Sequence, residues 1–479
     1  MNAIRLKKTN TYSSFRWFYL AIILLPTLLI SLNTYMIQIA LPIMQSELHI
    51  NFSQAQLIFS GYSIGLASSL IIGGKLGDIY GRRKILLIGI CMFTLTAFIG
   101  GISSHPLSLI TIRIIQGLSA AFIQPQILSI IQIIFPSKEK NLAFGLYGAV
   151  IGIAFTFGLI LGGLLVDWNL FNSSWRTVFL CNVPFGILVL LLLPIIPESK
   201  GEPSKHIDWS GAISLMISIL LFIYPLSEVQ KHGWNPWILS IFILSFLVFT
   251  FFILIERNKQ KNERSPLIDL SVFKNWLFVI GISSVLTIYM SMFSFFFILN
   301  YFLHFGLHYH TTDMSLIFLP IGLGFFITSL LSSKIVDQFG LMVLKVGALI
   351  MSICTFILIK LLLIDAHNLF TVEYIVLLFA YGLALGFATT PLANTILSRI
   401  PQNYIGVASG LFTTFMYLAN SLAVVGISII FSTSLKTTLE KASFTDYIHA
   451  FSNSLFVISI LSLSSFFIFS IHNKIYNKN

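Results

Sequence analysis

The sequence predicts an all-α integral membrane protein in which two six-helix bundles flank a two-helix insert, giving fourteen transmembrane helices. Three observations carry this. Of 479 residues, 56% are hydrophobic and only 9% charged, with a mean hydropathy of +0.91, too apolar for a water-facing surface. Uncharged stretches of about 20 residues, the length that crosses a bilayer core, follow one another almost from end to end. A weak self-similarity also recurs at an offset of 259 residues.

The apolar stretches fall near 17–43, 54–77, 84–103, 107–135, 142–166, 177–196, 209–227, 237–255, 276–303, 314–336, 343–364, 372–398, 405–433 and 449–471. The first follows a basic segment, runs longer than a signal-peptide core and lacks an Ala-x-Ala-like cleavage site, so it reads as a retained span. The seventh and eighth carry no charged side chain and are each long enough to cross, which favours fourteen spans over twelve. Leu57-Ile58-Phe59 with Gly65 maps on Leu316-Ile317-Phe318 with Gly324, and Lys75, Asp78 and Gly81 map on Lys334, Asp337 and Gly340. Spans two and ten are therefore equivalent, and the chain divides into a first bundle (1–200), an insert (201–264) and a second bundle (265–479). Parallel halves of this kind typify carriers that rock one half against the other.

The net charge of +11 would suit a nucleic-acid partner, but most of the 28 lysines and arginines fall on alternate connections. The positive-inside rule accounts for them, with both termini cytoplasmic in a multi-pass inner (cytoplasmic) membrane protein and no nucleic acid as partner. Cys91, Cys181 and Cys354 sit in apolar stretches without metal or disulfide spacing and read as buried small hydrophobes.

Between spans two and three stands Gly73-Gly74-Lys75-Leu76-Gly77-Asp78-Ile79-Tyr80-Gly81-Arg82-Arg83-Lys84. Glycines permit a tight interhelical turn, and one carboxylate can take charge-assisted hydrogen bonds beside a basic cluster. The segment resembles the loop signature of the major facilitator superfamily. Arg113-Ile114-Ile115-Gln116-Gly117 is similar to that superfamily's fourth-helix signature. The glycines of span five, among them Gly148, Gly152, Gly158, Gly162 and Gly163, resemble the exporters' fifth-helix signature, with Leu159 where proline is usual. Trp175-Arg176 through Gly186, Asp208-Trp209-Ser210-Gly211 and Pro266-Leu267-Ile268-Asp269-Leu270 resemble the fourteen-span drug:proton antiporter branch. The resemblance implies a secondary transporter working by alternating access, powered by the proton gradient, without cofactor or metal, and functional as a monomer. It also implies a cytoplasmic gate at Gly74, Asp78, Gly81, Arg82, Arg83 and Lys84, and a sliding contact between halves at the span-five glycines.

That branch commonly has an aspartate in span one, where this chain has Asn33. All 17 acidic residues lie in loops or near span ends, so a cation deep in the cavity would lack a carboxylate, whereas Arg113 biases the site positive. An arginine at that depth costs about 2.5–3.5 kcal/mol on insertion scales and should face protein or a wet cavity. The expected lining is Asn33, Gln38, Tyr62, Arg113, Gln116, Gln124 and Gln126 from the first half with Tyr289, Asn300, Tyr301, Asn394, Tyr417 and Asn420 from the second. Singly, such residues also serve as interhelical hydrogen-bonders. Gly61-Tyr62-Ser63-Ile64-Gly65 mimics a hydrolase elbow but lies inside a span, Gly74-Lys75 continues as Leu76 rather than a phosphate loop, and no His-Glu-x-x-His occurs. An enzyme is not expected. Two transport readings stay open for this small-molecule carrier in the bilayer: an exporter of amphipathic drugs or toxic metabolites, and a selective carrier of an anionic or zwitterionic metabolite such as a carboxylate siderophore or peptide antibiotic. A non-transporting receptor is the third.

Overall fold

The computed structural model describes residues 15–476 apart from 201–207, 263–267, 269, 341, 398–404 and 440. The bundle boundaries expected at 201 and 265 therefore lie outside the described residues, as do Asp269, Arg399 and the side chains of Lys334 and Asp337. Fourteen helical spans are present among those described: α1 Arg16–Glu47, α2 Phe52–Tyr80, α3 Arg82–Ile102, α4 Pro106–Ile134, α5 Ser137–Asp167, α6 in two pieces (Arg176–Leu180 and Asn182–Leu192), α7 Trp209–His232, α8 Pro236–Lys261, α9 Trp276–Tyr301, α10 Thr311–Phe339, α11 Met342–Ile364, α12 Val372–Thr389 continued by Leu392–Leu397, α13 Ile405–Leu435 and α14 Phe444–Tyr476.

Local chemistry sets the helix starts. Asn51 and Gln54 form a capping box on α2, with Gln54 N donating to Asn51 Oδ1 at 2.8 Å. Asn235 and Pro236 open α8, and Asn275 caps α9. Where the spans break, proline is the cause. Pro184 has no N–H to offer Leu180 and its ring crowds that carbonyl, so α6 turns at Cys181; Pro391 likewise interrupts the twelfth span at Thr390. Cys91, expected buried, is exposed on α3 beside outward-facing Ile88 and Leu95.

The pairing of helices repeats between the halves. In the first, α2 packs on α4, α1 on α5, α3 on α4 and α3 on α6; in the second, α10 on α12, α9 on α13, α11 on α12 and α11 on α14. The two most extensive contacts between the halves are α5 with α10 and α2 with α13, and the repeat exchanges one for the other; α1 adds smaller ones with α9 and α10. The hairpin α7–α8 lies outside this frame, with α7 against both α2 and α13 and so across a seam between the halves. α8 turns most of its apolar surface outward, whereas α2 is enclosed nearly throughout.

Glycine makes the close crossings possible. Gly65 faces the backbone of Ile114 and Leu118, and Gly324 faces that of Phe379 and Leu383, so an added Cβ would collide with backbone at either.

Candidate substrate cavity

Arg113 sits on α4 with no solvent exposure. Its Nε donates to Ile58 O (3.2 Å), and its Nη1 to Asn33 Oδ1 (3.1 Å) and Gln116 Oε1 (2.6 Å). The guanidinium carbon stands 4.6 Å from the centre of the Tyr62 ring, a cation–π contact. Every one of these partners is electrically neutral. A buried charge costs several kcal/mol unless compensated, and Arg113 Nη2 has no hydrogen-bond partner among the described residues. Gln116 Nε2 and Asn33 Nδ2 are likewise buried donors without an acceptor. The arrangement holds three unused donors and a positive charge inside the first half.

A second group stands around Tyr417 of α13. Its hydroxyl accepts from Gln124 Nε2 at 2.7 Å, a bond from one half to the other. Tyr35, Tyr62, Tyr147 and Tyr289 all lie within electrostatic range of it. Tyr35, Tyr147, Tyr289 and Tyr417 remain partly accessible, whereas Tyr62 is buried over Arg113. Phe155 joins the set, packing edge-on to Tyr35 (5.0 Å) and against Phe325 (5.2 Å). Phenols from five spans of both halves thus gather near Tyr417, one of them, Tyr62, lying over Arg113. Tyr35 and Tyr147 are not among the residues expected from the sequence; the signal for Tyr147 is a phenol between Gly145 and Gly148 on the glycine-rich fifth span.

Other expected cavity residues do different work. Asn300 Nδ2 donates to Gln38 O (2.6 Å), and Tyr301 Oη to Gln45 Oε1 (2.8 Å), with Phe52 edge-on to Tyr301 at 4.7 Å. Asn300 and Tyr301 therefore tie α9 to α1 at the end opposite the Arg82–Lys84 turn, Gln38 taking part through its backbone carbonyl, while Gln38 Oε1 and Asn300 Oδ1 have no partner among the described residues. Gln126 Nε2 donates to Gly73 O (2.7 Å) and ties α4 to α2 within one half. Asn420 is buried in α13, with its Oδ1 unpartnered among the described residues. Asn394 is exposed on the tail of α12 and shares no contact with Arg113 or Tyr417 among those described.

The span-five glycines divide by face. Gly158 and Gly162, four residues apart and so on one side, pack on Tyr35 and Met36 of α1 inside their own half. Gly152 and Gly163 alone of the named five touch α10. The expected sliding contact is therefore made by these two, together with Thr156, whose Oγ1 donates to Gly322 O (3.1 Å), and Leu159 O, which accepts from Ser315 Oγ (2.9 Å). This ladder runs from Asp167–Thr312 as far as Gly152 opposite Phe325 and Phe326; beyond it, nothing among the described residues lies within 4 Å of the Cβ positions of Gly148 or Gly145. Among the described residues, the α5–α10 contact is shut at the Asp167 end and parted at the other.

At the parted end, Asp78 pairs with Arg82 (2.7 Å) one helical turn on. Gly81 has φ +114, a conformation suited to glycine. Arg83 Nη1 donates to Pro194 O and Ile196 O, and the Glu198 carboxylate accepts from the backbone of Arg83 (2.9 Å) and Lys84 (3.1 Å), capping α3. Glu198 was missed because it is distant in sequence from the turn it caps. Gly74 stands near Pro125 of α4, and the Lys84 side chain is exposed. All of these contacts stay within the first half.

Fourteen spans arranged as two repeated six-helix halves and an insert, with tyrosines of both halves near their interface, are the frame of a membrane transporter. The family model described as Major Facilitator Superfamily matches residues 23–424, and the chain belongs to that superfamily. It is similar to a probable actinorhodin transporter of Streptomyces coelicolor, 28% identical over 87% of this chain and 72% of the relative. It is also similar to a puromycin resistance protein of Streptomyces alboniger, 27% identical over 85% and 80%. Among solved structures, a bacterial homologue of the human lysosomal transporter Spinster superposes with a TM-score of 0.70 at 14% identity, covering 97% of this chain and 98% of that one, and shares the fold.

Proposed function

We propose that the protein exports amphipathic, aromatic compounds that are neutral or anionic, by alternating access driven by the proton gradient. The observation that carries this is Arg113, a fully buried cation with only neutral partners and an unfilled donor, beside the tyrosine group. Aromatic rings offer stacking surface to planar ligands, and an uncompensated guanidinium favours an acceptor or anion over a cation. The relatives named for actinorhodin transport and puromycin resistance support export over uptake. In this reading the termini and the Arg82–Lys84 turn face the cytoplasm across the inner membrane, the protein works as a monomer, and the parted α5–α10 end is the cytoplasmic mouth. The two six-helix halves, 1–200 and 265–479, are the rocking bodies.

The test is growth of an efflux-deficient bacterial host making the protein or Arg113→Ala at matched membrane levels, against toxic cations, neutral compounds and anions. Protection against neutral and anionic compounds that vanishes in the variant supports the proposal. Protection confined to cations contradicts it. The lack of any described carboxylate beside Arg113 also favours the second reading, a selective carrier of an anionic metabolite; no protection, with anionic toxins becoming more harmful, would select that reading instead.

A further inference from the structure

Four ionisable side chains meet beneath the insert, away from the central cavity. Asp208 caps α7, accepting from Gly211 N at 2.7 Å, and is 5% exposed. Glu256, near the end of α8, is 0% exposed. Lys259, less than one turn further along α8, donates to Asp208 Oδ1 and to Ser210 Oγ. Lys75, from the part of α2 that leads into the gate turn, lies within electrostatic range of Asp208, Glu256 and Lys259. α13, which also packs on α7, contains no charged residue over Ile405–Leu435.

The two carboxyl groups face one another. Glu256 Oε2 accepts from Ile268 N at 2.8 Å, tying α8 to the chain that leads into the second half. Glu256 Oε1 receives no N–H or hydroxyl donor among the described residues and turns toward Asp208 across Gly211. A Cβ at residue 211 would collide with Glu256 Oε1 and stand 2.9 Å from Asp208 Oδ2, so a side chain there would push the two carboxyl groups from their present places. Glu256 Oε1 and Asp208 Oδ2 both stand within 3 Å of the Cβ position of Gly211, so the two carboxyl groups are close neighbours in a buried site. Two carboxylates that close disfavour double ionisation, and a proton held between them relieves it.

We propose that Asp208 and Glu256 share one proton and are the coupling-proton site of this transporter, set at the joint where the insert meets both halves. This rests on the proton-driven reading above. Burial alone would raise the Asp208 carboxyl; hydrogen bonds from Glu256, Lys259 and Gly211 N outweigh it and hold that group down to about 2, leaving the shared proton on the Glu256 side of the pair. When the proton leaves to water at the gate end, two neighbouring carboxylates face Lys259 and Lys75. Their repulsion is relieved if Glu256 turns toward Lys75 on α2, and that turn releases Ile268 N, the tie to the second half. Protonation thus favours one arrangement of the halves and deprotonation the other.

The test uses the purified full-length protein in lipid vesicles and requires no transported compound. An infrared pH titration should show the carbonyl band of one protonated carboxyl group that is lost in Glu256→Gln and shifted in Asp208→Asn. Its absence from the unmodified protein across the titration, or its persistence unchanged in both variants, overturns the shared proton. For coupling, spin labels at Leu142→Cys and Phe339→Cys, exposed at the gate ends of α5 and α10, are placed in a background lacking the three native cysteines. The distance between them should shift with pH and cease to shift when Glu256→Gln is added. An equal pH response with and without Glu256→Gln overturns the coupling role. Because neither readout involves a drug, either failure leaves the substrate reading standing, and loss of drug protection leaves the infrared result standing.

Discussion

Arg113 and Leu378 occupy equivalent places in the two halves. Gly117 packs on the Tyr62 carbonyl where α4 crosses α2, and Gly382 packs on the Ile321 carbonyl where α12 crosses α10. Four residues before each crossing glycine stand Arg113 and Leu378; one residue before stand Gln116 and Tyr381. The backbone frame is therefore repeated while its contents are not. In the first half the position holds a cation with polar partners, and in the second a fully packed Leu378 beside Tyr381, which overlies Phe295 at 4.2 Å. The glycines serve helix packing in both halves, but the buried charge and its polar partners stand in one, and the other places apolar and phenol side chains there.

That contrast is open to attack at graded strength. The largest effect belongs to Arg113→Ala, which should abolish protection of the host at matched protein levels. Leu378→Ala should instead lower stability by about 2–5 kcal/mol, as buried Leu→Ala changes do, and leave the range of exported compounds unchanged in a susceptibility panel. Next come Gly65→Ala and Gly324→Ala. Each pushes a methyl group into facing backbone, and both should lower the thermal unfolding temperature by similar amounts, on the order of 1–3 kcal/mol each; tolerance of one alone would break the equivalence of the halves. Tyr417→Phe removes the Gln124 bond across the cavity and should cost about 0.5–1.5 kcal/mol, read as a several-fold fall in transport rate.

The smallest effect concerns pH. Asp208 is held down to about 2 despite its burial, by hydrogen bonds from Glu256, Lys259 and Gly211. Its ionised form therefore stabilises the joint in full above the ordinary carboxylate range, roughly pH 4, and that contribution is lost as pH falls through about 2. In a Glu256→Gln background, where the second carboxyl no longer titrates, Asp208→Asn should accordingly lose the same increment of thermal stability at every pH from neutral down to roughly 4, a gap that closes only in stronger acid.

The sequence makes the spans plain because lipid enforces one rule, an apolar run of crossing length, on every helix. Glycine and charge spacing likewise mark the gate turn and Arg113. The breaks at Cys181 and Thr390 were legible in Pro184 and Pro391 but masked by continuous hydropathy. The site was harder because a helix position does not state which neighbour it meets. Gln38, Asn300 and Tyr301 look like cavity lining and instead tie α1 to α9, whereas Tyr35 lies two residues from Asn33 and still reaches the space around Tyr417. Glu256 shows the same limit at a helix end: its position suggests contact with water, yet the insert folds it wholly inside.

The central claim, that a cation in the first half selects neutral or anionic aromatic ligands, is tested most directly by binding to the purified protein. Fluorescein, an anionic aromatic dye, and ethidium, a cationic one, are titrated against the unmodified protein and Arg113→Ala in lipid vesicles. The account predicts saturable fluorescein binding that is lost in Arg113→Ala, with ethidium binding weaker throughout. Tight ethidium binding to the unmodified protein, with fluorescein indifferent to Arg113, would contradict it.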